Sequence, residues 1–249
     1  MTRCALVTGG GTGIGRAAAL ALAADGHAVV LAGRRAEPIE AVAAEVAAAG
    51  GRALAVAGDL AVPDGAARAV ASAVEAFGGL HVLVNNAGAI RRNVRLHEVG
   101  IDGWDEQIAI NLRGPYLVLN AALPELLRAE GDRSIVNVAS TLAVKLVPGI
   151  APYAAAKGAL ISLTKAIAVE YGGDGIRCNA VLPAVVDTPL ARTDRPDFEA
   201  RQDEMAEAYP LGRLGVPEEV GEAIRWLCSP GSRWITGATL NLDGGFTAT

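Results

Sequence analysis

A tyrosine stands four residues before a lysine in Tyr153-Ala154-Ala155-Ala156-Lys157, within an alanine-rich stretch that reads as helix. At that spacing the two side chains share one face, one turn apart. A free phenol, with a pKa of about 10, carries protons poorly at neutral pH. An ammonium beside it favours the phenolate and should lower that pKa. Taken alone, such a pair is also an ordinary helix-surface contact, so its neighbours must decide. Ser140 closes the apolar run 135–139, where its hydroxyl could donate to a carbonyl oxygen or to a developing alkoxide. Asn111, between Ile110 and Leu112, is a poor helix former inside a helix-like stretch; it could serve the site or brace a loop. Asn85-Asn86-Ala87-Gly88 closes another apolar run, and Gly88 leaves room for a ligand to lie across the backbone.

A second group of residues points to what that ligand is. Thr8-Gly9-Gly10-Gly11-Thr12-Gly13-Ile14-Gly15 joins the first strand-like run to the first helix-like one. Glycine permits positive φ and close backbone approach. A helix starting there aims free N–H groups and its positive dipole end at the turn, so Gly9, Thr12, Gly13, Ile14 and Gly15 form a candidate pyrophosphate cradle for a dinucleotide. The second strand ends at Gly33-Arg34-Arg35, without the carboxylate that commonly binds the adenosine ribose of NAD. Arg34 and Arg35 at the positive end of a helix would be relieved by a 2′-phosphate, which favours NADP while leaving NAD possible. The other reading is two solvated arginines. Asp59, with Leu60 beside it at the end of the third strand, could accept from an adenine amino group or simply cap a turn.

These residues need a scaffold, and the apolar periodicity supplies one. Strands are expected near 3–8, 28–32, 52–57, 81–85, 133–139, 176–182 and 238–241, with helices near 13–25, 36–49, 64–77, 103–129, 152–171 and 217–228. The runs 28–32 and 81–85 are too continuously apolar for strands with one wet face, and imply a parallel sheet covered on both sides. Repeated β-α-β units predict an α/β, doubly wound sheet. No linker or repeat divides the 249 residues, so a single domain is expected. The polar stretch 187–215 breaks the rhythm and reads as an irregular helical excursion that covers the substrate.

Composition narrows the partners. A net charge of −5 lacks the basic field that nucleic acid or an anionic membrane would attract. Three scattered cysteines, Cys4, Cys178 and Cys228, give neither a disulfide framework nor a metal spacing and suit a reducing compartment. With no secretory or membrane-spanning segment evident, a cytoplasmic location is expected.

With the glycine turn at 8–15, Asp59, the Asn-Asn-Ala-Gly at 85–88, and Asn111, Ser140, Tyr153 and Lys157 all in order, the chain resembles a classical short-chain dehydrogenase/reductase along essentially its whole length. The resemblance implies a Rossmann-like sheet of about seven strands in the order 3-2-1-4-5-6-7, with helices on both faces, and a homotetramer or homodimer. It implies Tyr153 as general acid in reduction and base in oxidation. Lys157 would hold the nicotinamide ribose, Ser140 would orient the substrate oxygen, and Asn111 would hold a water of a proton relay. Asn86, Ala87, Gly88, Pro183 and Thr188 would line the cofactor, with Thr188 at the carboxamide. The chain departs from the family at Ala184, where Gly often follows the proline; if positive φ were needed there, Ala would cost about 1 kcal/mol.

The substrate is less legible. Arg91, Arg92 and Arg95 could hold a substrate carboxylate or phosphate, but a solvated loop is the simpler reading, as is a structural role for His97. The acidic residues of 187–215, among them Asp194, Asp197 and Glu199, read as a solvated lid. Leu142, Val144, Leu146 and Val147 hint at an apolar pocket. The expected reaction is hydride transfer between NADP(H), or NAD(H), and a secondary alcohol or ketone; a cofactor-sensing protein without catalysis is the alternative on the same fold.

Overall fold

The computed structural model describes residues 3–92, 94–195 and 197–249. Seven strands, β1 (Cys4–Thr8), β2 (Ala28–Gly33), β3 (Arg52–Ala57), β4 (Val82–Asn85), β5 (Arg133–Val138), β6 (Ile176–Pro183) and β7 (Thr239–Leu242), pair in parallel in the order β3-β2-β1-β4-β5-β6-β7. The expected α/β class and strand order are both present. The period of two along each strand divides a continuous apolar run between two cores. In β1, Cys4 and Leu6 enter one core while Ala5 and Val7 enter the other.

The first core is closed by α3 (Pro63–Phe77), α5 (Gly114–Arg128) and α6 (Ala151–Tyr171), through Val70, Leu119, Leu126 and Ile167. The second is closed by α1 (Gly13–Ala24), α2 (Ala36–Ala48) and α9 (Pro217–Leu227), through Leu22, Ile39, Val42 and Ile224. Pro217 occupies the first turn of α9, and Glu219 accepts the Val216 N–H at 3.0 Å. α1 and α9 cross closely because Gly221 has no side chain; a Cβ there would lie 2.8 Å from the carbonyl carbon of Ala17.

Two departures from the sequence reading matter for the site. The stretch expected to be one helix over 103–129 is α4 (Ile101–Ile108), a π-turn (Ala109–Arg113) and then α5. Asn111 sits in that wide turn, fully buried. Single π-turns inside helices recur at functional sites. The excursion 187–215 contains α7 (Pro189–Asp194) and α8 (Gln202–Ala206), and its ends are pinned together. Val186 bridges to Gly215, the Asp187 N–H donates to the Gly215 carbonyl at 3.0 Å, and the Gly215 N–H donates to Val185 at 3.1 Å. It leaves and rejoins the body of the domain at one base, and not all of it is solvated: Phe198 is buried, and so is the Asp194 side chain.

The three cysteines are free and buried, and burial pushes the Cys4 thiol up to about 12 and the Cys228 thiol up to about 11. They behave as small core hydrophobes. Among the described residues no helix is long and apolar enough to cross a membrane.

Candidate active site

Strand order reverses between β1 and β4, which opens a crevice at the carboxyl ends of the sheet. The crevice is held open by side-chain hydrogen bonds. The Thr8 hydroxyl accepts the Asn86 and Ala87 N–H groups at 2.9 and 3.0 Å. Asn86 Nδ2 in turn donates to the carbonyls of Thr8 and Gly9 at 3.0 and 3.2 Å. This fixes the end of β4 against the first glycine turn. Gly9 and Gly13 have φ of 64° and 51°, conformations that L side chains rarely adopt. A Cβ at Gly15 would lie 2.5 Å from Asn86 Nδ2, so a side chain there would displace the lock itself. Thr12 stands at the N-cap of α1 and its side chain makes no capping hydrogen bond with the first-turn N–H groups.

On one side of Gly88 lies a cavity of about 490 Å³, lined by Gly9, Arg34, Arg35, Asp59, Leu60 and Ala87 among others. Arg34 and Arg35 are exposed and, among the described residues, form no ion pair. Asp59 makes the turn-capping contact that was one of its two readings: its Oδ1 accepts the Ala61 N–H at 2.9 Å. Asn85 also lines this cavity, and its buried Oδ1 lacks a hydrogen-bond partner among the described residues. Open backbone, two free guanidiniums and an unpartnered acceptor form a set that fits the adenosine half of a dinucleotide.

On the other side of Gly88 is a cavity of about 330 Å³ that brings Ile14, Asn86, Ser140, Tyr153, Lys157, Pro183 and Thr188 together. Tyr153 and Lys157 project from α6 into this one space, as the spacing required. Lys157 Nζ lies 5.8 Å from the phenol ring centroid and donates to the Val138 carbonyl at 2.8 Å. A buried polar chain steadies the helix that carries them. Asn85 Nδ2 donates to Asn137 Oδ1 at 3.0 Å, and Asn137 Nδ2 donates to the Thr164 hydroxyl of α6 at 2.8 Å. Ser140 Oγ accepts the Leu142 N–H at 3.1 Å and lines the same cavity as Tyr153.

The electrostatics correct one expectation. The Tyr153 pKa is raised, not lowered: burial dominates, with the Ser140 hydrogen bond and Arg92 pulling it back and Asp194 adding to the rise. Burial also brings Lys157 down to about 8. Sequence spacing gave the proximity of the ammonium but not the depth of the pair.

Asn111 braces a loop, one of the two readings its place in the sequence left open. Its side chain grips the backbone of Ala89, just past Gly88, and its Nδ2 also donates to the Gln107 carbonyl at 3.0 Å. Thr188 caps α7, accepting the Ala191 N–H at 3.2 Å. The Ala184 N–H donates to the Leu242 carbonyl at 3.2 Å, extending the β6–β7 ladder by one bond at the position of the family's glycine.

Several lining residues carried no sequence signal as a group. Ile90, Val185, Leu190, Met205, Tyr209 and Phe246 wall the second cavity, with Tyr209 and Phe246 rings 5.5 Å apart. Of the four apolar residues after Ser140, only Leu142 and Val147 reach it; Val144 and Leu146 are exposed. Arg92 is not solvated. It forms a largely buried ion pair with Asp194, their side chains 15% and 6% exposed. Arg91 pairs with Glu106 at the surface, Arg95 is exposed, and His97 lies 3.7 Å from Glu98 on the exterior.

Comparison with known proteins bears on this arrangement. Residues 9–247 match the family model described as enoyl-(acyl carrier protein) reductase. A cis-4-hydroxycyclohexanecarboxylate dehydrogenase of Sinomonas cyclohexanicum is 42% identical over 246 residues, covering 99% of this chain and 97% of that one. The crystal structure of a 3-ketoacyl-(acyl-carrier-protein) reductase from Brucella melitensis with NADH superimposes with a TM-score of 0.92 at 35% identity, over 98% of both chains. An actinorhodin polyketide ketoreductase variant with NADPH gives a TM-score of 0.94 at 32% identity, covering 100% of this chain and 98% of the other. These relatives are named dehydrogenases and reductases, which favours an enzyme over the cofactor-sensing alternative. Family model, near full-length relatives and the strand order agree: the chain belongs to the classical short-chain dehydrogenase/reductase family of nicotinamide-dependent oxidoreductases.

Proposed function

We propose that this oxidoreductase interconverts a small secondary alcohol and its ketone with NADP(H), using Tyr153 as the proton carrier. The observation that carries the reading is the convergence of Ser140, Tyr153 and Lys157 on one largely apolar cavity beside Gly88. A bound nicotinamide supplies or accepts the hydride there. Ser140 directs a hydrogen bond at the substrate oxygen, where negative charge grows during reduction. Tyr153 gives its phenolic proton to that oxygen in reduction and takes it back in oxidation. Lys157, anchored on Val138, fixes the ribose side and keeps positive charge near the phenol. Asn111 acts mainly through Ala89, holding the loop that roofs the cofactor.

Support for NADP over NAD comes from Arg34 and Arg35 at the rim of the adenosine-side cavity, in a place where no carboxylate closes β2. The glycine turn, Asp59, Leu60, Asn86, Ala87, Pro183 and Thr188 line the remaining path of the cofactor. The chain works as one domain, with 187–215 as the flap over the substrate. Family membership favours a homotetramer or homodimer, and three buried free thiols suit the cytoplasm. Small alicyclic ketones are the first substrates to try, given the cyclohexane-ring relative and the apolar walls. Following NADPH absorbance over a panel of cyclic and open-chain ketones tests the reading. Consumption with at least one cyclic ketone is expected; none with any carbonyl, despite saturable NADPH binding, sinks it.

A further inference from the structure

The cavity beyond Tyr153 has an unbalanced charge inventory. Its charged lining residues are Arg92, Lys157, Asp194 and Arg195, three cations against one carboxylate. The lone carboxylate is already committed, since Asp194 pairs with Arg92. Lys157 is committed to the Val138 carbonyl. Arg195 is not committed. Among the described residues it forms no ion pair, and its guanidinium's one hydrogen bond goes to the thioether of Met205, a weak acceptor. Burial pulls its pKa below the usual guanidinium value, and the like charge of Arg92 adds to that. The charge of Asp194 opposes both effects, but it is held by Arg92, and a partly desolvated guanidinium with no ion-pair contact of its own would be relieved by an entering anion.

We propose that the substrate carries a carboxylate and that Arg195, which lines the same cavity as Ser140 and Tyr153, receives it. The proposal rests on the hydride-transfer reading above and names its substrate class: a small hydroxy acid or keto acid with an apolar body. A planar carboxylate matches the fork of a guanidinium, which a neutral ester cannot do. The apolar lining of the same cavity includes Ile90, Leu142, Val147, Leu190 and Phe246, which suit a hydrocarbon ring or short chain. Asp194 competes with the substrate for the same pair of arginines. It therefore limits how strongly the acid is preferred.

The test compares 4-oxocyclohexanecarboxylate with its methyl ester, reading the ratio of kcat/KM values with NADPH. The native enzyme is expected to prefer the acid by about tenfold or more, the size of one charge-assisted hydrogen bond. Arg195→Gln lowers the ratio about tenfold, chiefly through KM of the acid, and Arg195→Lys restores part of it. Asp194→Asn raises the ratio, a change in the opposite direction that a damaged flap would not produce. Equal kcat/KM for acid and ester in the native enzyme overturns the proposal, as does an equal loss for both probes in Arg195→Gln. Calorimetric titration of each probe into the NADP-bound protein separates this claim from the reading beneath it. If neither probe is turned over but the acid binds about tenfold more tightly through Arg195, hydride transfer fails and the anion site stands. Equal binding of the two probes removes the anion site.

Discussion

Asn111 grips both backbone groups of Ala89: Oδ1 accepts the Ala89 N–H at 3.2 Å, and Nδ2 donates to the Ala89 carbonyl at 2.8 Å. This two-point contact ties the π-turn to the loop that leaves β4, so the loop's path beside Gly88 is set by a side chain and not by the sheet. Asn111→Leu keeps the volume and removes both bonds. Each buried group left unsatisfied costs about 1–3 kcal/mol. A fall in Tm and a rise in KM for the cofactor are expected, measured by thermal unfolding and steady-state kinetics; an unchanged Tm would show that the loop holds itself.

Tyr153→Phe removes the hydroxyl and little volume. Turnover should fall by roughly 10²–10⁴, the usual worth of a positioned acid–base group. NADPH binding, followed by fluorescence, should stay within a few-fold. Activity retained in the phenylalanine variant would move the proton transfer to another group.

Burial raises the Tyr153 pKa, whereas the Ser140 hydrogen bond favours the ionised form. Alcohol oxidation needs the phenolate, so its kcat/KM should rise toward alkaline pH. Ser140→Ala removes a stabiliser of the phenolate and should push that rising limb to still higher pH, with a loss in kcat of about 10²–10³ for one lost donor at the substrate oxygen. A limb that moves to lower pH contradicts this account.

Lys157 gives a second pH signature, in stability. Its folded pKa of about 8 lies below the unfolded value, so between about pH 8 and the ordinary lysine range the unfolded chain binds more protons. Stability from this group therefore rises with pH across that window, and its burial costs most below it. Chemical denaturation of native protein and Lys157→Met across this range should show a steeper upward slope in the native protein.

Arg34 and Arg35 are proposed to read the adenosine 2′-phosphate. Replacing both with alanine should lower the NADPH-to-NADH ratio of kcat/KM by about tenfold or more, given roughly 1.5–3 kcal/mol for a hydrogen bond to a charged group. A native preference for NADH would overturn the assignment before any variant is made.

What could be read from the chain was what depends on local spacing. The glycine turn at 8–15, the apolar runs of β1 and β2, and the four-residue interval from Tyr153 to Lys157 each encode their geometry within a few residues. Where distant segments meet, the reading failed. Arg92 and Asp194 are 102 residues apart, so nothing near either one distinguished a buried pair from two solvated charges. Phe246 and Tyr209 join the cavity only through tertiary packing. The wide turn at Asn111 was hidden because its residues follow helical periodicity on both sides. The sign of the Tyr153 shift was missed for the same reason: a neighbouring charge is visible in a sequence, but burial is a property of the whole fold.

The glycine at position 13 lies against the flap: a Cβ there would come within 3.0 Å of Thr188 Cγ2, at the start of α7. The start of the segment proposed to cover the substrate thus rests on the turn proposed to hold the nucleotide phosphates. Loading the first ligand would stiffen the gate for the second, so a compulsory binding order with dinucleotide leading follows from that contact. Product-inhibition patterns would display it.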